Sequence, residues 1–182
     1  MELEKEEVPV KIFIRDIWKL QQYDVDPNYF RFYDKYIRKV DIMGIVTEVR
    51  KNGDHHIYRV DDGTGTVICS FNHSNTRHLN ELHEIEQLQE SIAEMNFGNA
   101  SAEGAAMEFL LEEAFNANQI SFRPLEQGDC VHLQGFVKNF HDKREVTAYR
   151  LHKVPSSAHE VDRVFELSFL YSNCYAKDVP ES

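Results

Sequence analysis

The sequence contains only three cysteines, and they lie far apart at Cys69, Cys130 and Cys174. Small secreted domains build disulfide frameworks from even numbers of cysteines, so this pattern argues against such a framework. No apolar run approaches the roughly 20 residues that a membrane helix needs. The acidic start, residues 1–7, also lacks the apolar stretch of a signal peptide. These absences predict a soluble intracellular protein without a membrane partner.

The sequence also lacks the short motifs that are typical of enzymes and metal sites. It has no nucleophile elbow, phosphate-binding loop or paired-carboxylate motif. Nine histidines are present, but His73, His78 and His83 are spaced by five residues, which does not place them on one helix face. No Cys-x-x-Cys pair accompanies them. We therefore expect no catalytic residue, no metal ion and no cofactor.

Positive charge is scarce overall, with a formal net charge of −11, but the acidic residues are concentrated in two segments. Residues 1–7 carry four Glu against Lys5, and residues 76–118 carry nine Glu against Arg77. The remaining residues sum to about zero. A face that attracts nucleic acid is therefore compatible with the composition, because the distribution of charge matters more than its sum.

Period-two alternation of apolar residues, typical of strands, occurs in five segments separated by turn residues. The first contains Gly44 in its interior, as a sharply bent strand of a small barrel requires. Asn52-Gly53 and Gly63-Thr-Gly65 mark tight turns after the first and second segments. The predicted strands are residues 40–50, 56–61, 66–72, 129–139 and 145–154.

Helical periodicity occurs between the third and fourth strands and again after the fifth. The acidic segment 76–118 is predicted to hold two helices, and a final helix is predicted from about Ala158 to Ala176. Five strands with a helix between the third and fourth form the pattern of an OB-fold barrel. A β-sandwich is the competing fold, but it seldom places two helices in the middle of its strands. We predict a mainly β protein with flanking helices. Its domains are an N-terminal arm (1–36), the OB-fold domain (37–155) and a partner-binding helix with tail (156–182).

Several ordered stretches resemble a known family of OB-fold subunits. The run Val40–Val46, followed by Tyr58–Gly65, resembles the OB domain shared by the middle subunit of replication protein A and the Stn subunit of the telomeric CST complex. The stretches Phe13–Ile17, Gly128–Glu145 and Glu166–Tyr171 favour the Stn family. Stn proteins often carry additional C-terminal winged-helix domains. A natural short form and an isolated N-terminal half of a longer protein both remain open.

The resemblance implies a telomere-maintenance subunit that acts in the nucleus at chromosome ends. It also implies a small Ten-like OB partner, a large CST-type subunit, single-stranded DNA shared with these partners, and recruitment of DNA polymerase alpha–primase. Two alternatives remain open: an OB module that binds only proteins, and the middle subunit of a complex like replication protein A.

Strand alternation sorts the candidate DNA-binding residues. In the fourth strand, Val131, Leu133 and Val137 are predicted to face the core, whereas Phe136, Lys138 and Phe140 face outward. OB domains stack bases on such aromatics and contact phosphates with cations in the adjoining loops. The alternative is that Phe136 and Phe140 merely cover the barrel beneath the last helix. The predicted set is Lys138, Phe140, Phe136, Lys143, Arg144, Tyr58 and Arg50, with Lys51, His56 and Arg59 as secondary candidates.

The third strand offers no comparable aromatic on its outer face. Val67, Cys69 and Phe71 are predicted to point inward, and Ile68, Ser70 and Asn72 outward. The last helix, by contrast, has an apolar arc wider than the flank of a barrel needs. Assembly is therefore the firmer expectation. The predicted partner-binding residues are Val161, Val164, Phe165, Leu167, Phe169 and Tyr171.

Overall fold

The computed structural model describes residues 4–74, 124–140, 143–154 and 157–175. The chain forms two compact units, residues 1–72 with 125–182 and residues 73–124. Nearly all of the described residues belong to the first unit. The two predicted helices in 76–118 lie outside the described residues.

The N-terminal segment folds into short elements rather than one continuous strand. The elements are β1 (Glu4–Glu6), β2 (Val10–Lys11), α1 (Ile14–Ile17), β3 (Gln21–Gln22), β4 (Phe30–Phe32) and β5 (Lys35–Ile37). Four of these strands form one sheet in the order β1-β5-β4-β3, and β2 lies outside this sheet.

Five longer strands form the barrel: β6 (Lys39–Asn52), β7 (His55–Asp61), β8 (Thr66–Asn72), β9 (Cys130–Phe140) and β10 (Lys143–Lys153). Their order is β6-β7-β8-β10-β9, and antiparallel pairing of β6 with β9 closes the sheet. β8 and β10 are the one parallel pair among these five strands. This closed five-stranded arrangement is that of an OB fold, so the predicted fold is confirmed.

The inward faces agree with the alternation in the sequence. Val131, Leu133 and Val137 of β9 are buried, and so are Val67, Cys69 and Phe71 of β8. A Cβ at Gly44 would lie 2.5 Å from the Asp61 carbonyl oxygen, so β6 and β7 approach too closely for a side chain there. Gly44 thus allows the tight bend of the first barrel strand.

The N-terminal arm packs against the barrel through apolar side chains. Ile12, Ile14 and Ile17 belong to the same buried cluster as the barrel core. The helix α1 begins at the β7–β8 turn, where the Ile14 amide donates to the Asp62 carboxylate at 2.8 Å and the Arg15 amide to the Thr64 hydroxyl at 3.2 Å. These contacts fix the start of α1 at one end of β8.

The chain returns to the barrel in a C-terminal helix, α2 (Ser157–Leu170), which continues as a π-helical turn over Tyr171–Tyr175. Ala176, the predicted last residue, lies outside the described range. The three-part domain division made from the sequence stays a prediction. Among the described helices, α2 included, none has the length and apolarity that crossing a membrane requires.

Candidate nucleic-acid and partner interfaces

One face of α2 is apolar and points away from the barrel. Val161, Val164, Phe165 and Phe169 are 55%, 53%, 71% and 62% exposed. Their spacing of three, one and four residues places them along one side of a helix. We call these four residues the apolar stripe. Exposed side chains of this size in a continuous row are typical of a surface that another protein covers.

Two residues predicted for the partner surface lie on the opposite side of the helix. Leu167 is only 4% exposed and belongs to the buried residues of the molecule. The Tyr171 hydroxyl accepts the Phe13 amide at 3.1 Å and donates to the Asp16 carboxylate at 2.7 Å. Burial raises the pKa of Tyr171, and the nearby Asp16 carboxylate raises it further. Both residues attach the helix to the rest of the chain, so this packing does not favour their assignment to the partner surface, which stays a prediction.

A buried ion pair sets the position of α2 on the barrel. The Arg163 guanidinium lies 2.5 Å from the Asp41 carboxylate of β6, and both side chains are almost fully buried. His132 and Gln134 of β9 also contact this carboxylate, each at 2.8 Å. Arg163 donates a second hydrogen bond to the Asp41 carbonyl at 2.6 Å. The helix is thus bound to two strands through one carboxylate.

The pKa of Asp41 is determined by its burial and by these contacts. Burial raises the pKa, but the hydrogen bond from His132 and the charge of Arg163 lower it by more, to about 2. Sequence reasoning missed this site. The available signal was an aspartate inside the apolar run Val40–Val46, on the outer face of a strand.

A cleft of about 370 Å³ opens beside the apolar stripe, between α2 and the barrel. Val164 and Leu167 line it from the helix, Met43 and Ile45 from β6, and Phe13 from the arm. Since Val164 belongs both to the stripe and to this cleft, the two form one continuous apolar surface.

The predicted DNA-binding residues of β9 lie at its exposed end. Lys138 is exposed, and Phe140 is 58% exposed. Phe136 is half-buried, with the Arg38 guanidinium 5.0 Å above its ring and the Tyr149 ring centre 5.3 Å away. The cations near its ring are Arg38 and, at 5.9 Å, Lys39, and the aromatic neighbour is Tyr149. The DNA-binding role of Lys138, Phe140 and Phe136 stays a prediction.

Other predicted residues are engaged within the protein. Tyr58 is fully buried, with its hydroxyl 2.9 Å from the ring of His56, which is also buried. Burial raises the pKa of Tyr58 to about 12. Burial of Tyr58 and His56 does not favour a DNA-binding role for either residue, and that role stays a prediction.

Three predicted cations are held by intramolecular contacts. The half-buried Arg144 donates to the Leu20 carbonyl at 2.8 Å and lies 4.9 Å over the Phe30 ring, so it fastens the arm to β10. Arg50 and Arg59 share the Glu48 carboxylate, at 2.7 and 3.0 Å. Lys51 and Lys143 are exposed. The binding of phosphate by Lys51 and Lys143 stays a prediction.

The described residues contain no group of three or more His, Cys, Asp or Glu arranged to hold a metal ion. Cys69 is fully buried, and burial raises the pKa of its thiol, which disfavours the reactive thiolate form.

Comparison with known proteins supports the resemblance predicted from the sequence. No family model matches the chain. It is 29% identical over 170 residues to the CST complex subunit STN1 of Danio rerio, covering 91% of this chain and 43% of that protein. It is 25% identical over 178 residues to the Homo sapiens subunit of the same name, covering 91% of this chain and 41% of that protein. The chain thus spans about two fifths of the length of these curated relatives.

Solved structures show the same fold. A replication protein A heterotrimer bound to single-stranded DNA contains a chain that matches with a TM-score of 0.58 and 14% identity, covering 91% of this chain and 97% of that one. A chain of the S. pombe Stn1–Ten1 complex matches with a TM-score of 0.56 and 15% identity, covering 89% and 90%. At these identities the likeness establishes the OB fold. The curated relatives are homologues named as subunits of a complex, not as enzymes.

Proposed function

We propose that this chain is the STN1-type subunit of a CST-like complex that maintains chromosome ends in the nucleus. It joins a small Ten-like OB subunit through α2 and, with that subunit and a large CST-type subunit, holds single-stranded DNA. It acts by binding rather than by catalysis. Recruitment of DNA polymerase alpha–primase would then follow from the assembled complex.

The observation that carries this proposal is the apolar stripe of α2. Arg163 and Leu167 fix the opposite side of the helix to the barrel, so the exposed residues cannot turn inward without breaking a buried ion pair. Removing one partner of such a pair costs about 3–5 kcal/mol. A helix held in this way offers a preformed apolar surface to a second protein, which lowers the entropic cost of association.

The DNA contribution is proposed as shared rather than carried by this chain alone. Tyr58 is buried, and the outward residues of β8 are Ile68, Ser70 and Asn72. Exposed Lys138 and Phe140 at the end of β9 remain as the stacking and phosphate contacts within the barrel.

The partner claim is tested by co-expression with the Ten-like OB subunit of the source organism. We expect a one-to-one complex by size-exclusion chromatography with light scattering. Val164→Asp with Phe165→Asp should abolish the complex, because two charges would be buried in an apolar interface. Val25→Asp is the matched control, since Val25 is an apolar residue in the arm that is even more exposed, at 79%. A complex that survives the double substitution would contradict the assignment.

A second candidate function has its own support in the likeness to the replication protein A heterotrimer. If the chain is the middle subunit of a complex of that kind, it should assemble with the large and small subunits of replication protein A. The two candidates are distinguished by mass spectrometry of proteins that co-purify with the tagged chain from nuclear extract. A third candidate, an OB module that binds only proteins, predicts no salt-dependent binding of oligonucleotides by the purified heterodimer.

A further inference from the structure

Trp18, the single tryptophan of the chain, is held at the surface rather than buried. It lies directly after α1 and is 46% exposed. Its indole N–H donates to the carbonyl of Thr66, the first residue of β8, at 2.9 Å. This hydrogen bond fixes one edge of the ring against the barrel and leaves much of the remaining apolar surface in solvent. A large aromatic ring held in this way is preorganised for stacking.

The strand register places Trp18 at the end of the sheet that carries Phe140. Ile68 of β8 lies opposite Glu145 of β10, and carrying this parallel register back by two residues sets Thr66 beside Lys143. Lys143 in turn lies opposite Phe140 in the β9–β10 pair. Neighbouring strands are about 4.8 Å apart, so the strand positions of Thr66 and Phe140 are separated by roughly 10 Å.

Cations lie next to Trp18 in sequence, and the extrapolated register brings one more on β10 towards it. The side chains of Arg15 and Lys19 are 51% and 69% exposed, and Lys143 is exposed as well. Arg15 and Lys19 share one carboxylate, that of Asp16, at 3.7 and 2.7 Å. The segment around Trp18 is therefore net positive. Lys19 and Arg31 also line a small cleft of about 220 Å³, together with Asp16.

We propose that Trp18 is a base-stacking site for single-stranded DNA, with Lys143 and Lys19 contacting the phosphates on either side. This inference rests on the proposed function, because it extends the DNA-binding surface of the barrel onto the N-terminal arm. It supplies a rigid aromatic at the start of β8, a strand whose outward residues Ile68, Ser70 and Asn72 offer no ring. The DNA path then runs from Phe140 across the start of β10 to Trp18.

The test uses intrinsic fluorescence, since Trp18 is the one tryptophan of the chain. Titration of the 182-residue chain with oligo(dT) should quench its emission, and the same binding curve should be obtained from the anisotropy of labelled oligo(dT). Stacking on an aromatic contributes about 1–3 kcal/mol, so Trp18→Ala should weaken binding by about 5- to 150-fold. Trp18→Phe keeps a ring and should recover most of the affinity. Val25→Ala, an exposed apolar position, is the matched control and should bind normally.

The outcomes separate this inference from the proposed function. Normal binding by Trp18→Ala, or anisotropy binding without a change in emission, overturns the Trp18 site and leaves the DNA-binding function standing. Loss of the Ten-like partner in Trp18→Ala would instead assign the ring to a protein interface and also overturn the site. Absence of oligo(dT) binding by both the chain and the heterodimer overturns the site and the DNA contribution together.

Discussion

At the scale of single residues, Asp41 is the carboxylate on which the position of α2 depends. Its side chain is 3% exposed and contacts Arg163, His132 and Gln134. The pKa of Asp41 in the folded protein, about 2, is lower than the ordinary value of 3.8 for an aspartate. Because the folded pKa is depressed, the charged form contributes stability that is present above the unfolded pKa. That stability is lost as the pH falls through the folded pKa.

The first prediction follows from this shift. Between about pH 5 and pH 2 the Asp41 contribution of about 2 kcal/mol should disappear from the free energy of unfolding. Asp41→Asn should be less stable than the wild type at pH 5, and the difference should shrink towards pH 2. Urea unfolding followed by circular dichroism at several pH values measures it. Asp34→Asn, at an exposed carboxylate, is the control. A constant difference between Asp41→Asn and wild type across this range would contradict the assignment.

The Asp41 network also marks what the sequence could not reveal at this scale. Asp41 alternates with the core residues Val40 and Ile42 and so lies on the outer face of β6, but nothing in the sequence indicates that α2 packs on that face. Tyr58 is the converse case. Its position in a strand close to the first loop predicts that the ring faces the ligand, but the ring lies in the core. In a short strand with alternating apolar residues, the pairing register decides which face is buried, and the sequence alone does not give that register.

At the scale of elements, the long barrel strands were predictable and the arm was not. β6 to β10 carry enough alternating residues to define a period, whereas the arm strands have two or three residues each. Their pairing depends on tertiary packing of side chains such as Phe30 and Phe32, which are buried against the barrel core. Short strands of this kind have no signal of their own.

A second prediction concerns the bend of β6. Gly44→Ala should destabilise the barrel by about 1–3 kcal/mol, because the new Cβ would meet the Asp61 backbone 2.5 Å away. Gly65→Ala is the control, since its Cβ would meet neighbours only at ordinary contact distances, 3.6 Å and beyond. Thermal unfolding of the two variants compares them directly. Equal melting temperatures for both variants would show that the close approach of β6 and β7 at Gly44 does not limit the stability of the barrel.

A third prediction concerns the end of β9. Lys138→Ala with Phe140→Ala should weaken oligo(dT) binding by the heterodimer, because a phosphate contact and a stacking ring are both lost. Lys138→Ala alone should also reduce the slope of log K against log salt by about 0.7, the value for one phosphate contact with a single strand. Lys153→Ala, at an exposed lysine at the other end of the β9–β10 pair, is the comparison. Unchanged affinity in the double variant would remove the end of β9 from the binding surface.

At the scale of the whole molecule, charge and binding act against each other. The chain carries a net charge of −11, and nine glutamates against one arginine lie in residues 76–118. Phosphates of DNA are repelled by such a charge, and the repulsion is screened by salt.

A fourth prediction tests this opposition. Replacing residues 76–118 with a short Gly/Ser linker should strengthen oligo(dT) binding at 50 mM salt, and the gain should diminish at 200 mM. Replacing the nine glutamates by glutamine is the matched variant that keeps the length of the segment. If the deletion strengthens binding and the glutamine variant does not, the segment acts by bulk or by a specific contact rather than by charge.

The closure of the barrel between β6 and β9 also has a consequence for synthesis of the chain. Residues 39–45 pair with residues 130–136, so the first barrel strand cannot complete its pairing until a strand about 90 residues later in the sequence has been synthesised. Arg163, which covers Asp41, emerges from the ribosome later still. Contacts between residues this far apart in sequence form slowly. Closing the intervening loop costs conformational entropy before the new contacts can offset that cost. The proposed partner surface on α2 is therefore complete only when translation has passed α2, and unfinished chains would lack it.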